Sequence, residues 1–273
     1  MKTRIISGVI MVPLLLVLYF GGAVLWAAAL IIAVMGVKEF CNGWNNLEVR
    51  PSFPVCCVMS ILLFATYFAG GLAASEPKHH FVMMLACMWV FAAVAVSLIY
   101  GWKINERGAY DAAATAVSLV YIPFFTYHMV LIDMTEHSRF IWIVVIAAFG
   151  SDIFAYFTGY FLGKHKMAPN LSPKKTIEGA VGGLAGSTLF CALFGLIFMK
   201  EHVAVCAVMG LVGGAAGMAG DLTASAFKRK MGIKDYGTLI PGHGGIMDRF
   251  DSVIFVAPVV YYIIFAAELL LGI

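Results

Sequence analysis

Four aspartates stand where an apolar chain tolerates them least. Asp152 falls inside the apolar run 147–161, and Asp221 follows the small-residue stretch Gly213-Gly214-Ala215-Ala216-Gly217. Asp248 and Asp251 open the last apolar run. A carboxylate at the centre of a membrane helix costs about 2.5–3.5 kcal/mol on insertion scales, so it faces a partner or an aqueous cavity. If the helix carrying Asp221 runs on to Lys230, Asp221, Ser225 and Lys228 share one face, at offsets of four and three residues. Asp248 and Asp251 share a face in the same way. Carboxylates converging at a membrane boundary repel one another unless a cation lies among them, and all-oxygen ligation selects Mg²⁺, Mn²⁺ or Ca²⁺ over zinc. Salt bridges, for instance Asp248 with Arg249 or Lys228, are the alternative; a divalent cation is the preferred reading. Asp152 is open between a metal role and a buried structural pair.

Two polar segments bring positive charge and free backbone to these acids. Between Asp221 and Asp251 runs Lys234-Asp235-Tyr236-Gly237-Thr238-Leu239-Ile240-Pro241-Gly242-His243-Gly244-Gly245. Its glycines admit close approach and a helix start follows, an arrangement that can cradle an anion. A plain turn beside a basic loop is the bland alternative; joined to a cation site, a phosphate-rich ligand is the better one. The second segment, from Gly163 to Glu178, carries Lys164, His165 and Lys166, then Ser172-Pro173-Lys174-Lys175-Thr176. Ser172 is expected to cap a helix whose first residue is Pro173. Lys174 and Lys175 would then flank a helix N-terminus, where a bound anion explains them better than topology-setting charge does.

The elements that must position these groups are membrane helices. Of 273 residues, 62% are hydrophobic and only 12% charged, where soluble domains carry about 25% charge. The 28 glycines suit close helix packing, and a scattered net charge of +3 argues against a nucleic-acid partner. The six cysteines lie mostly in apolar runs without CxxC or Cys/His spacing, and read as small buried hydrophobes. The expected fold is all-α, a polytopic integral membrane protein of about nine spans near 5–21, 22–37, 54–73, 81–100, 112–132, 139–162, 177–199, 203–224 and 250–272. The first is expected to be retained rather than cleaved as a signal peptide. The chain reads as one membrane domain, 1–273, with N-terminal helices over 1–140 and a catalytic half over 141–273.

Charge placement orients it. With the N-terminus cytoplasmic, the inside segments hold Lys2, Arg4, Lys38, Arg50, Lys103, Arg107, Lys164, Lys166, Lys174, Lys175, Lys228, Arg229, Lys230, Lys234 and Arg249. Only Lys78, Arg139 and Lys200 fall outside. That bias is the positive-inside pattern, with the C-terminus outside.

Residues 225–251 resemble the signature of the phosphatidate cytidylyltransferases: Ser225-Ala226-Phe227-Lys228-Arg229, four residues, Lys234-Asp235-x-Gly237-x-x-Ile240-Pro241-x-His243-Gly244-Gly245-Ile246-x-Asp248-Arg249-Phe250-Asp251. Gly220-Asp221-Leu222, Gly163-Lys164-His165-Lys166-Met167-Ala168-Pro169 and Ser172-Pro173-Lys174-Lys175-Thr176-x-Glu178-Gly179 extend the likeness across about 150–255. Ala224, Tyr160 and the pair Ile153-Phe154 stand where the family often has Glu, a basic residue and two small residues. The resemblance implies that CTP and phosphatidic acid react to give CDP-diacylglycerol and pyrophosphate. It implies a catalytic set of Asp221, Asp248, Asp251, Lys228 and Arg229. The first three would bind Mg²⁺ or Mn²⁺, with a second or a monovalent cation alongside. Lys174, Lys175, Ser225, Lys234, His243, Gly244, Gly245 and Arg249 would contact substrate; for His243 a backbone hydrogen bond is an equal alternative. The expected setting is the inner membrane, as a homodimer among membrane lipids, with the site facing the cytoplasm. Three other readings compete. A phosphatidyltransferase lacks support because its DGxxAR…GxxxDxxxD pattern is absent. A CTP-using kinase would share the nucleotide chemistry. An ion-coupled transporter would place its acids near the midplane rather than at the inner boundary.

Overall fold

A computed structural model describes residues 15–72, 78–103, 105–239 and 244–272. With no water in a bilayer to satisfy backbone groups, apolar runs of this length close their hydrogen bonds internally, as helices. The principal helices are α1 (Gly22–Trp44), α2 (Phe53–Ala69), α3 (Lys78–Tyr100), α4 (Ala109–Leu119), α5 (Phe125–Asp133), α6 (Ile141–Leu162), α7 (Ile177–Phe198), α8 (Val203–Lys230) and α9 (Met247–Leu271). A π-helical turn, Val120–Phe124, joins α4 to α5 and absorbs Pro123, which has no N–H to donate. The protein is an all-α polytopic membrane protein. Among the described residues, seven helical stretches are long and apolar enough to span, and α2, with 17 residues, is a shorter apolar helix. The expected span 5–21 lies largely outside the described residues. Its last residues, 15–20, are helical and break from α1 at Gly21 and Gly22, both at positive φ.

The chain forms two compact units. Residues up to Glu136 and Lys230–Arg249 make the first. Its core joins Phe40, Phe64, Leu119, Ile122 and Tyr127, all fully buried. The Trp26 indole donates to the Phe64 carbonyl at 2.8 Å, and the Tyr127 hydroxyl meets Thr66 Oγ1 at 2.8 Å, so the buried polar tips are satisfied. Residues 230–249 pack on the C-terminal end of α1. Asn46 Nδ2 donates to the Met231 carbonyl, Gly43 lies under the Met231 sulfur, and the rings of Phe40 and Tyr236 are 5.8 Å apart.

The second unit, His137–Arg229 and Phe250–Ile273, is built on glycine. Apolar side chains gain little by leaving lipid for a helix interface, so packing relies on backbones that approach closely. A Cβ at Gly183 of α7 would lie 2.8 Å from the Ser151 carbonyl of α6, and one at Gly179 2.7 Å from that of Ala155. On α8, a Cβ at Gly210 would lie 2.7 Å from the Ser187 carbonyl, and one at Gly220 2.5 Å from that of Asp251 on α9. The Ser187 hydroxyl, donating to the Gly210 carbonyl at 2.9 Å, ties α7 to α8.

The polar loop 163–176 departs from expectation. In place of a helix beginning at Pro173, β1 (Lys166–Ala168) and β2 (Ser172–Thr176) form an antiparallel hairpin. Thr176, rather than Ser172, is the N-cap of α7, its hydroxyl accepting from Gly179 N at 3.1 Å. Strand pairing commits Ser172–Thr176 to extended backbone, so the helix starts after it.

Glycine packing makes a direct prediction. Gly183→Val should destabilise the second unit by about 1–3 kcal/mol through overpacking. Gly71→Ala, with nothing within 4 Å among the described residues, should stay within about 0.5 kcal/mol of wild type. Unfolding in mixed detergent micelles, followed by tryptophan fluorescence, measures both; equal stabilities would refute the close-packing account.

Candidate active site

Three helices of the second unit each bring one aspartate to a common region: Asp152 from α6, Asp221 from α8 and Asp251 from α9. The glycine contacts above let them approach, Gly220 being pressed against the backbone of Asp251 itself. Asp152 and Asp221 line the same cleft. The Lys175 ammonium lies 2.5 Å from Asp221 Oδ2, with both side chains about a quarter exposed. Helix α8 does continue to Lys230, so Ser225 stands one turn below Asp221 and its hydroxyl lies 3.4 Å from Oδ1. The Ser252 hydroxyl approaches Asp152 Oδ2 at 3.5 Å, and Asp251 Oδ1 accepts from Ser252 N at 2.8 Å. Asp152 and Asp221, with the Ser225 hydroxyl beside Asp221, put oxygen donors in this region. That donor set suits a hard divalent cation.

The hairpin walls this site on one side. A cleft of about 660 Å³ is lined by Asp152, Tyr156, Tyr160, Lys166, Lys174, Lys175 and Asp221, among others. Lys174 is exposed and Lys175 half-buried. The hairpin is clasped at its base by Glu178 in the first turn of α7. Its carboxylate accepts from Lys164 N at 3.1 Å and His165 N at 3.2 Å, and meets His165 Nδ1 at 2.6 Å. The Ile177 amide donates to the His165 carbonyl at 2.9 Å. Lysines on this hairpin therefore point from a closed scaffold rather than a loose loop.

The glycine-rich segment belongs to the first unit, and its anions are the protein's own. Asp248 Oδ2 accepts from Tyr236 N at 2.7 Å and Gly245 N at 3.0 Å. Glu39, near the end of α1, accepts from Ile246 N at 3.0 Å and Met247 N at 2.9 Å. The amides of Gly245, Ile246 and Met247 are thus taken by carboxylates. The expectation that this turn offers those amides to a phosphate is corrected accordingly. Gly244, at φ +84°, and Gly245 serve by leaving room: a Cβ at Gly244 would lie 2.7 Å from Asp248 Oδ2, and one at Gly245 would collide with the Glu39 carboxylate. His243 lies outside the described residues. Lys234 is exposed, Arg249 half-buried, and Arg229 exposed at the end of α8.

The structure thus gathers Asp221, Asp251, Ser225, Lys228, Lys174 and Lys175 in the second unit, adds Asp152, and puts Asp248, Gly244, Gly245, Lys234 and Arg249 in the first. Sequence reasoning missed Glu39, and gave Glu178 a place in the family motif but no role. Glu39 lies just past the expected span 22–37, beside Lys38, where an acid reads as an ordinary boundary charge. Glu178 could be found as the acidic residue in a first helical turn, two residues after a Thr cap.

Fold and site define a polytopic membrane protein with a charged, oxygen-lined cleft among its helices. Comparison with known proteins gives the class a name. The sequence profile of the cytidylyltransferase family matches residues 2–267. The phosphatidate cytidylyltransferase of Staphylococcus aureus is 34% identical over 267 residues, covering 94% of this chain and 96% of that protein. Those of Staphylococcus epidermidis and Staphylococcus saprophyticus are 32% and 31% identical over 265 and 262 residues, with the same coverage. The chain belongs to the cytidylyltransferase family.

Proposed function

We propose that this protein is a phosphatidate cytidylyltransferase, joining phosphatidic acid to CTP to form CDP-diacylglycerol and pyrophosphate. The observation that carries the reading to particular residues is the Lys175–Asp221 pair, set beside Asp152 in the hairpin-walled cleft. In the reaction an oxygen of the lipid phosphate attacks the α-phosphorus of CTP. The bond from that phosphorus to the bridging oxygen breaks, and pyrophosphate leaves. The lipid phosphate is already anionic at neutral pH, so no strong general base is required. Phosphoryl transfer of this kind depends on positioning and charge neutralisation more than on covalent chemistry.

The roles divide as follows. Asp152, Asp221 and Asp251 would hold Mg²⁺, whereas Asp248, whose Oδ2 accepts from two backbone amides, serves the turn before α9 instead. When bound, the ion neutralises charge on the triphosphate and its leaving group. Lys174 and Lys175 bind nucleotide phosphates, Lys175 exchanging its carboxylate partner for phosphate. Lys228 and Arg229, on a helix leaving the bilayer, meet the lipid phosphate while the acyl chains stay in the membrane. The lysine and arginine asymmetry supports a cytoplasmic N-terminus and a site open to the cytoplasm, in the cell's inner membrane.

Activity should disappear in excess EDTA, and Asp221→Asn or Asp251→Asn should lower kcat by at least about a hundredfold. The assay is incorporation of radiolabelled CTP into lipid by purified protein in mixed micelles; full turnover with the metal chelated would refute the metal assignment.

The lysines should separate by substrate. Losing one charge-assisted hydrogen bond to phosphate costs about 1.5–3 kcal/mol, or roughly ten- to a hundredfold. Lys175→Ala should raise the KM for CTP by that factor and leave that for phosphatidic acid nearly unchanged, and Lys228→Ala should do the reverse. Steady-state kinetics varying each substrate alone tests the partition, and equal effects on both substrates would defeat it.

Orientation is tested by a cysteine at position 170, in the hairpin turn. It should react with a membrane-impermeant thiol reagent only once the cytoplasmic side is opened, and labelling from the outer face would invert the topology.

A further inference from the structure

We infer that Glu39 is a positioning residue for the reaction, an internal anion that seats the glycine-rich turn and fixes where α9 begins. The kinetic part of this inference rests on the function proposed above. The first amides of a helix have no partner within it and favour negative charge. At the start of α9 that charge comes from a residue 207 positions earlier in the chain: Glu39 takes Ile246 N on Oε1 and Met247 N on Oε2. The turn is shaped to admit this one side chain from two sides. A Cβ at Gly237 would lie 2.5 Å from Glu39 Oε1, and a Cβ at Gly245 would overlap the same carboxylate. Two glycines, eight residues apart in sequence, thus clear space for a single carboxylate from another helix.

The surroundings hold Glu39 in register. Phe40, the next residue, lies against the Tyr236 ring, and Gly43, one turn on, lies under Met231. Asp248 grips the same turn through Tyr236 N and Gly245 N. Glu39 and Asp248 therefore bond amides on both arms of the turn, and the consequence runs along α9. Asp248 is its second residue and Asp251 its fifth, so the placement of both aspartates follows from where the helix starts. Glu39 itself takes no part in bond making. It acts through the backbone of Ile246 and Met247.

The test uses the full-length protein in detergent micelles, comparing wild type with Glu39→Gln and Glu39→Ala by amide hydrogen exchange and by steady-state kinetics. Glu39→Ala should speed exchange in peptides containing Ile246 and Met247, and leave α6 and α7 protected as in wild type. Its kcat per folded molecule should fall on the order of a hundredfold, the effect of a displaced catalytic constellation, with the KM for phosphatidic acid within about twofold. Glu39→Gln keeps the length and one acceptor oxygen, so it should recover part of both properties; it also carries the test if Glu39→Ala does not fold. Unchanged exchange at residues 246 and 247 would overturn the inference. So would faster exchange spread evenly over the chain, or a normal kcat despite local opening. If wild type makes no CDP-diacylglycerol while the local exchange effect holds, the proposed reaction fails and the seating of the turn stands.

Discussion

A carboxylate inside an apolar helical bundle has to be met by donated hydrogen bonds or by a cation, and this chain uses the two solutions for different ends. Glu39, Asp111, Asp133 and Asp248 all accept from backbone amides: Ile246 and Met247, Arg50 and Gly108, Gly22, and Tyr236 and Gly245 respectively. Such bonds join fixed points of the backbone, so these acids act as rivets between segments distant in sequence. Asp221 instead faces a lysine ammonium, that of Lys175. A side-chain ammonium on a flexible stem can be exchanged for another cation, which an amide cannot.

Bringing three such acids together requires helices closer than ordinary side chains allow. The second unit meets that demand with backbone against backbone, at Gly179, Gly183, Gly210 and Gly220. Gly220 packs α8 against the α9 backbone at Asp251, next to Asp221 in the chain. Close packing and the assembly of the acidic site are here one design, and a methyl group at such a position would disturb both.

Much of this was legible in advance, for physical reasons. Apolar runs of spanning length must be helical, so most expected spans meet helices within a few residues of the stated ends. The shared face of Asp221, Ser225 and Lys228 followed once α8 was taken to Lys230. Loop 163–176 hides its hairpin because Ser172-Pro173 is an equally good helix start, and hydropathy says nothing about pairing in a polar segment. Thr176 carries the same capping chemistry four residues later. The turn at Gly244-Gly245 was read as open to a ligand because its filler, Glu39, lies at the far end of the sequence. No local pattern announces a partner 207 residues away... the residue types were visible, and their pairing was not.

The Lys175–Asp221 contact also bears on how the protein reaches its membrane. A newly inserted chain meets the bilayer before it meets any ligand, at a stage when an uncompensated carboxylate would draw water into the helix bundle. A lysine delivered by the hairpin supplies a built-in counterion for that interval, close in sequence to α7 and in place as soon as α6, the hairpin, α7 and α8 have assembled. The fold thus carries within its own sequence the positive charge that meets Asp221.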